Sequence, residues 1–264
     1  MSSDPNNMKD VHDANDFAFD EFFDRDYLAF YAAELNDDTN DDEAHTIAEL
    51  LQLQPGLRIL DLPCGHGRIA RRLAAMGATI TGIDRSQLFL EHARADADRH
   101  GVAVDYREGD MRTLSVDGEF DVVLNWFTSF GYDDDDTLRT QLTRMHRALV
   151  PGGRLLLETI NLHQRDLQPH ETSHTKELVD EHGTHFLIDR YYYDPHDGRL
   201  HARRFITRSG QATRTIPWQL RLFPLTELKT WLREAGFANV QAFSGGGEVF
   251  RCDSERLIVV AQRQ

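Results

Sequence analysis

The spacing of apolar and polar positions changes several times along this chain, and each change marks a predicted element. Met1 to Asp16 is polar and acidic with no apolar repeat, the pattern of a mobile tail. From Phe17 aromatics recur at helical spacing, at Phe19, Phe22, Phe23, Tyr27, Phe30 and Tyr31. Such a stripe predicts a packed helix ahead of the first strand. Asn36 to Glu43 reads as an acidic, turn-rich connection, followed by a helix from about Ala44 to Gln52. Pro55-Gly56 ends that helix and launches a strand over Leu57 to Leu62.

The pattern then alternates. A helix over Gly67 to Met76 stops at Gly77, and a buried strand runs from Ala78 to Ile83 and ends at Asp84. Ser86 caps a helix that reaches His100, with Gly101 as its stop signal. Val102 to Arg107 and Phe120 to Asn125 read as strands, Asp135 to Leu149 as a helix, and Arg154 to Ile160 as a fifth strand after Pro151-Gly152-Gly153. Strand and helix taking turns predict parallel βαβ units, hence an α/β, doubly wound sheet. Beyond Ile160 the rhythm changes. Thr184 to Tyr193, Leu200 to Ser209 and Ala212 to Leu222 are rich in strand formers, separated by the hairpin signals His196-Asp197-Gly198 and Ser209-Gly210. They predict an antiparallel insertion over the ligand edge of the sheet. A helix from Leu225 to Ala235 and strands over Asn239 to Phe243 and Arg256 to Gln262 bring the main sheet to seven strands.

Composition narrows the partners. A net charge of −15 over 264 residues argues against nucleic acid, which calls for a basic face. With 40% hydrophobic residues the chain can bury a large core. The two cysteines, Cys64 and Cys252, lie in no paired metal-binding spacing, so neither a disulfide framework nor a metal site is expected. No stretch reads as a signal peptide or membrane span, and a cytoplasmic location is the default expectation.

The most informative stretch is Arg58-Ile59-Leu60-Asp61-Leu62-Pro63-Cys64-Gly65-His66-Gly67-Arg68. An apolar run ends in an acid, two glycines alternate, and a helix begins, which presents a tight turn to a nucleotide-like ligand. Gly65-x-Gly67-x-x-Ala70 followed by Asp84 satisfies a dinucleotide fingerprint, so the turn alone leaves a nicotinamide cofactor open.

Further landmarks follow in order. Gly109-Asp110-Met111 follows the third strand, Phe120-Asp121-Val122-Val123-Leu124-Asn125 forms the fourth, and Leu149-Val150-Pro151-Gly152-Gly153-Arg154-Leu155 precedes the fifth. With Asp61, Gly65 and Gly67, these resemble the class I S-adenosylmethionine-dependent methyltransferases over about Leu57 to Ile160. Pro63 departs from the family pattern, standing where its first glycine is expected and lacking an N–H. The resemblance implies a Rossmann-like sheet and S-adenosyl-L-methionine as cofactor. It implies Asp84 on the ribose hydroxyls, Asp110 on the adenine amino group, and Met111 against the ring. Tyr27, Asp61, Pro63, Cys64, Gly65, Gly67, Arg85, Asn125, Trp126 and Phe127 complete the expected cofactor contacts. The implied organisation is an N-terminal helical cap over 17–56, a cofactor-binding core over 57–160, the β insertion over 161–223, and a closing segment over 224–264.

Methyl transfer from a sulfonium requires alignment more than acid–base chemistry. The aromatic exit of strand four, Asn125 to Tyr132, is the candidate pocket lining, with Phe130, Tyr132, Tyr192 and Trp218 as candidate acceptor contacts. Asp133 to Asp136 reads as a solvated helix start, with an amine-attracting rim or a metal site as alternatives. His163, His170, His174, His182 and His185 are surface histidines or candidate bases. Asn125 is not followed by the Pro-Pro-aromatic that amino methyltransferases acting on bases carry. A small-molecule acceptor with N or O, amine-bearing in one version, is therefore expected. A non-catalytic cofactor-binding scaffold and an NAD-dependent oxidoreductase are the alternatives.

Overall fold

The computed structural model describes residues 17–164 and 171–264, so the expected tail over Met1 to Asp16 and the candidate His170 lie outside the described residues. The chain divides into two compact units. The larger comprises Asn36–Phe130, Asp135–Gln164 and Phe223–Gln264; the smaller holds the described residues up to Leu35, Gly131–Asp134 and 171–222.

In the larger unit the strands are β1 (Arg58–Asp61), β2 (Thr79–Asp84), β3 (Asp105–Glu108), β4 (Phe120–Asn125), β5 (Leu149–Ile160), β10 (Phe237–Phe243) and β11 (Arg256–Arg263). They form one sheet in the order β10-β11-β5-β4-β1-β2-β3, with β1 to β5 parallel and β11 antiparallel to both its neighbours. The seven-stranded, doubly wound sheet is therefore as expected.

The helices of this unit are α3 (Asp37–Leu50), α4 (Arg68–Ala75), α5 (Gln87–His100), α6 (Asp135–Ala148) and α7 (Leu225–Glu234). The strands bury both faces, and their side chains alternate between two apolar clusters. Ile59, Val122, Leu124, Leu156 and Ile258 join Ile47, Ile69, Leu73 and Leu90 from α3, α4 and α5. Leu60, Val123, Leu155, Leu157 and Leu257 join Leu138, Leu142, Met145, Leu228 and Trp231 from α6 and α7. Strand order reverses between β1 and β4, which makes their carboxyl ends the place where such sheets bind ligands.

Three of the boundaries that differ from expectation have a visible cause. Asn36 to Glu43 is not a connection: Asn36 caps α3 by accepting the Thr39 N–H at 3.0 Å, so the acids form the first turns of a helix. Turn-forming Asn and Asp are equally good helix starters. What decides between the roles is tertiary, because Arg72 of α4 bonds Asp37 and Asp41 while Arg71 reaches Asp37 at 3.7 Å. β3 starts only at Asp105, because Val102 still donates its N–H to Ala97 at the end of α5. β5 starts at Leu149, through Pro151-Gly152-Gly153, because Leu149 pairs with Phe120.

The smaller unit holds α1 (Phe19–Phe22), α2 (Arg25–Tyr31), β6 (Thr172–Asp180), β7 (Gly183–Asp194), β8 (Arg199–Thr207) and β9 (Arg214–Arg221). The strands form an antiparallel sheet in chain order. Three strands were expected and β6 was missed, because it is an edge strand whose mostly exposed side chains give no apolar alternation. The single aromatic helix is broken in two at Asp24, whose Oδ1 accepts the N–H groups of Asp26 and Tyr27 at 2.8 and 3.2 Å. Phe22 and Phe30 pack with Leu187, Ile206 and Ile216 of the sheet, and Arg208 binds Asp26 at 2.6 Å. The stretch expected as one helical cap over 17–56 thus divides at Leu35, its two parts belonging to different units. Among the described residues, no helix is long and apolar enough to cross a membrane.

Candidate functional site

β1 ends on Asp61, buried between β2 and β4 opposite Gly82 and Leu124. The Leu62–Pro63 peptide that follows is cis, and Cys64 donates its N–H to Ile83 O at 2.9 Å, holding the turn against β2. Gly65 and Gly67 both have left-handed φ, 54° and 78°. Their roles differ. A Cβ on Gly67 would stand 2.3 Å from Tyr106 Oη and 2.8 Å from Ala93 Cβ, so that glycine is required by packing. A Cβ on Gly65 would meet nothing within 4 Å. The open face of the turn is therefore at Gly65, where a ligand can approach the backbone.

Asp84, at the end of β2, faces the same turn. Its Oδ2 accepts the Gly65 N–H at 2.8 Å and its Oδ1 the Ser86 N–H at 2.8 Å. Burial raises its pKa, opposed by those N–H groups. Each carboxylate oxygen has a second lone pair, so the capacity to accept from a ligand remains. Burial also pushes the Asp61 carboxyl up to about 8, with Arg68 pulling it down and Asp84 pushing it further up. Two buried acids and one open backbone face thus meet at the strand-order reversal. His66, pushed down to about 4 by burial and then by Arg68, is neutral at pH 7. Burial and then Asp61 push the Cys64 thiol up, so it is no thiolate nucleophile.

Across the reversal, β4 ends on Asn125, fully buried, with Nδ2 donating to Leu62 O at 2.7 Å and lying 4.0 Å from Met111 Sδ. Among the described residues its Oδ1 has no hydrogen-bond partner. A buried acceptor without a donor is costly in a resting protein and suits a ligand N–H or O–H. Beyond it the buried Trp126 donates Nε1–H to Glu43 Oε2 at 2.8 Å. Phe127 and Thr128 adopt left-handed φ, 60° and 54°, and Thr128 donates its N–H to Glu158 Oε2 at 2.8 Å. Arg68, next to Gly67, places its guanidinium 4.7 Å from the Phe127 ring centroid, and its buried Nη2 has no hydrogen-bond partner among the described residues.

The other expected contacts are placed as follows. Asp110 accepts from Arg112 N and Nη2, at 2.8 and 2.6 Å, and lies 3.8 Å from Arg85. Burial opposes its ionisation, but the Arg112 bonds outweigh it and hold the carboxyl below its ordinary range. Phe130, expected to line an acceptor pocket, is instead fully buried and stacks on Phe223 at 5.5 Å within the core.

Tyr27, Tyr132, Tyr192 and Trp218 belong to the smaller unit. There Tyr27 stacks on Tyr31 at 4.4 Å, Tyr132 on Phe17 at 5.2 Å, and Tyr192 on His201 at 5.3 Å, while Trp218 donates to Asp189 Oδ1 at 3.2 Å. His185 is engaged at both nitrogens, by Asp180 Oδ1 at 2.8 Å and by the Ser209 N–H at 3.0 Å, and is structural. His163, His174 and His182 are exposed. Asp135 and Asp136 open α6, whereas Asp133 accepts from Arg199 Nη1 through its carbonyl at 2.8 Å. Asp194, Asp197 and His201 bring potential ligand atoms within 4.8 Å of one another. Asp194 accepts the His196 N–H, and Asp197 accepts the Arg199 N–H and pairs with His201 Nε2, which accounts for that cluster as hairpin architecture.

Glu43, Arg68, Glu158 and Arg256 were not singled out from the sequence. The only signal was charge within otherwise apolar strands, Glu158 in Leu155-Leu156-Leu157-Glu158 and Arg256 ahead of Leu257-Ile258-Val259-Val260.

An S-adenosylmethionine donor fits this donor set. Gly65 leaves a cradle that a Cβ would enter, Asp61 and Asp84 supply buried acids, and Asn125 Oδ1 is an acceptor in need of a donor.

Residues 59–153 match a family model described as a methyltransferase domain. The ubiquinone biosynthesis O-methyltransferase of Rhizobium leguminosarum is 40% identical over 107 residues, 40% of this chain and 41% of that protein. That of Sinorhizobium medicae is 41% identical over 107 residues, 40% of this chain and 42% of that protein. The chain thus spans about two fifths of the length of these curated relatives. Among solved structures, a SAM-bound amino pentose methyltransferase from Micromonospora echinaspora superposes with a TM-score of 0.69 at 22% identity, covering 91% of this chain and 98% of that one. An S-adenosylmethionine-dependent methyltransferase from Clostridium acetobutylicum gives 0.70 at 15%, covering 92% and 98%. Residues 59–153 therefore match a methyltransferase domain, and the chain shares the fold of S-adenosylmethionine-dependent methyltransferases.

Proposed function

We propose that this chain transfers the methyl group of S-adenosylmethionine to an oxygen or nitrogen of a small molecule. The observation that carries the reading is the convergence, at the strand-order reversal, of the open Gly65 face with the buried acids Asp61 and Asp84 and the unpartnered Asn125 Oδ1. The donor supplies a methyl group already activated on a sulfonium. The chain's own task is to bind, orient and exclude water. In this reading Asp84 accepts from ribose hydroxyls, Asp61 faces the cationic end of the donor, and Gly65 lets its backbone close on the ligand. Asp110 and Met111 receive the base, and Trp126 and Phe127 supply the aromatic wall against which a sulfonium is favoured.

The relatives' names support the acceptor class in two ways. The sequence relatives are O-methyltransferases of ubiquinone biosynthesis, while one structural neighbour acts on an amino pentose and another, from Streptoalloteichus, is a sugar N-methyltransferase. The test is incubation of the full chain with methyl-labelled S-adenosylmethionine and a panel of phenols and amino sugars, with products resolved by mass. Label in a hydroxyl or amine of a panel member is the expected result. Donor binding without label in any small molecule would remove this acceptor assignment.

A further inference from the structure

Phe127 and Thr128 are two consecutive non-glycine residues in the left-handed region, separated from Asn125, the last residue of β4, by Trp126 alone. A Cβ disfavours this conformation, and it persists only where the surroundings over-determine it. Here four distant segments do so. Glu158 of β5 accepts the Thr128 N–H on Oε2 and Arg256 Nε on Oε1, each at 2.8 Å. Glu43 of α3 accepts Trp126 Nε1–H at 2.8 Å on Oε2 and Arg256 Nη1 on Oε1. Arg256 of β11 therefore bridges two carboxylates, one on each side of the left-handed pair, with its guanidinium 4.9 Å from the Trp126 ring and 5.6 Å from that of Phe127. Glu43 also binds Arg68 Nη1, which reaches Asn40 Oδ1 at 2.7 Å.

Glu158 is 1% exposed and Arg68 7%. Two guanidinium groups and two carboxylates in such surroundings are a poor way to maximise stability, since apolar residues of like volume commonly do as well. A network in which the charged groups pair with one another instead specifies one conformation. This one ties the helix after the glycine turn, through Arg68, to the exit of β4, through Trp126 and Thr128.

We propose that Glu43, Arg256 and Glu158 form a clamp of positioning residues. It holds the Phe127–Thr128 backbone left-handed and thereby sets the wall of the donor site at the end of β4. The proposal rests on the donor reading given above. The clamp touches neither donor nor acceptor; it acts through the backbone it holds. Glycine accepts a left-handed φ without a Cβ penalty, so Thr128→Gly reduces the need for the clamp.

The test measures affinity for S-adenosylhomocysteine by calorimetry, with thermal unfolding in parallel, on the full chain as wild type, Glu158→Gln, Thr128→Gly and Glu158→Gln/Thr128→Gly. Glu158→Gln should weaken affinity about tenfold, as loss of a hydrogen bond to a charged group commonly does. The double variant should recover most of that loss. Unchanged affinity in Glu158→Gln, or a loss that Thr128→Gly restores only in melting temperature, would overturn the clamp. Should Glu158→Gln not fold, Arg256→Lys takes its place under the same criteria, because an ammonium cannot fork to two carboxylates as a guanidinium does. No binding by the wild type would instead overturn the donor reading, and this inference with it.

Discussion

Asp84 accepts the backbone N–H of Gly65 at 2.8 Å, so the acid ending one strand holds the glycine turn that ends another. The same carboxylate accepts from Ser86 at the start of α5. One side chain therefore both shapes the turn and starts a helix. Asp84→Ala leaves two N–H groups without their partner, at about 1–3 kcal/mol each where burial keeps water away. It should unfold at lower temperature and show no measurable S-adenosylmethionine binding by calorimetry. Affinity within about twofold of wild type, well under 1 kcal/mol, would contradict the role assigned to this carboxylate.

The two glycines of the turn should fail differently. Gly67→Ala forces a Cβ onto Tyr106 Oη and Ala93 Cβ in a backbone of positive φ, and overpacking of that kind costs about 1–3 kcal/mol on top of the strain. Gly65→Ala meets nothing, and should cost only the left-handed strain, about 1–2 kcal/mol. Its effect should fall on cofactor affinity, because the added methyl stands on the open face. Urea unfolding and calorimetric titration of both variants separate the two effects. Equal loss of stability in both would refute the division.

Asp61 should make the ligand-free protein less stable as pH rises. With its pKa pushed up to about 8 from the ordinary 3.8, the folded chain retains a proton that the unfolded chain has released throughout that interval. The contribution is fully present below about 4 and disappears as the pH rises through 8, on the order of 1 kcal/mol per pH unit. His66 acts in the opposite sense: its value is depressed to about 4, so stability is lost as the pH falls from 6.5 toward 4. Unfolding free energies of wild type and Asp61→Asn at pH 5 and pH 7.5 test the assignment. The variant should be the more stable at pH 7.5 and bind S-adenosylmethionine more weakly. Parallel pH profiles would show that Asp61 ionises freely.

In the smaller unit, Arg204 is 2% exposed, forks onto both oxygens of Asp189 at 2.9 and 2.8 Å, and lies 3.8 Å over the Phe22 ring. Arg204→Met should destabilise by about 3–5 kcal/mol, because it strands a buried carboxylate. Arg204→Met with Asp189→Leu should recover much of that loss. A double variant no more stable than the single one would mean that packing around the guanidinium, rather than the pair, supports this unit.

The seven strands, the helices between them and the acids at the ends of β1 and β2 were legible because they rest on local rules. Buried strands are mostly apolar, glycine favours left-handed turns, and order along the chain determines which strand ends share an edge. Pro151-Gly152-Gly153 was legible as punctuation, although pairing with Phe120 carries β5 through it. The edge strand β6 was not legible, since exposure on both sides removes the alternation that betrays a strand. Asn36 to Glu43 was misread because the same residues start turns and helices, and the arginines that settle the matter lie some thirty positions on.

By itself, then, the sequence determined the architecture and the edge of the sheet that carries the glycine turn: a period of two or near four, with glycines and acids at strand ends, is written in neighbouring residues. Only the tertiary structure decided how each of those residues packs and pairs. It made Gly67 a packing residue and Gly65 the open one, sent Phe130 into the core, and joined Glu43, Glu158 and Arg256 around the exit of β4. The physical reason is that burial and charge pairing depend on which segments meet in space. Glu43 and Arg256 stand more than two hundred positions apart, and no local pattern in either records the other.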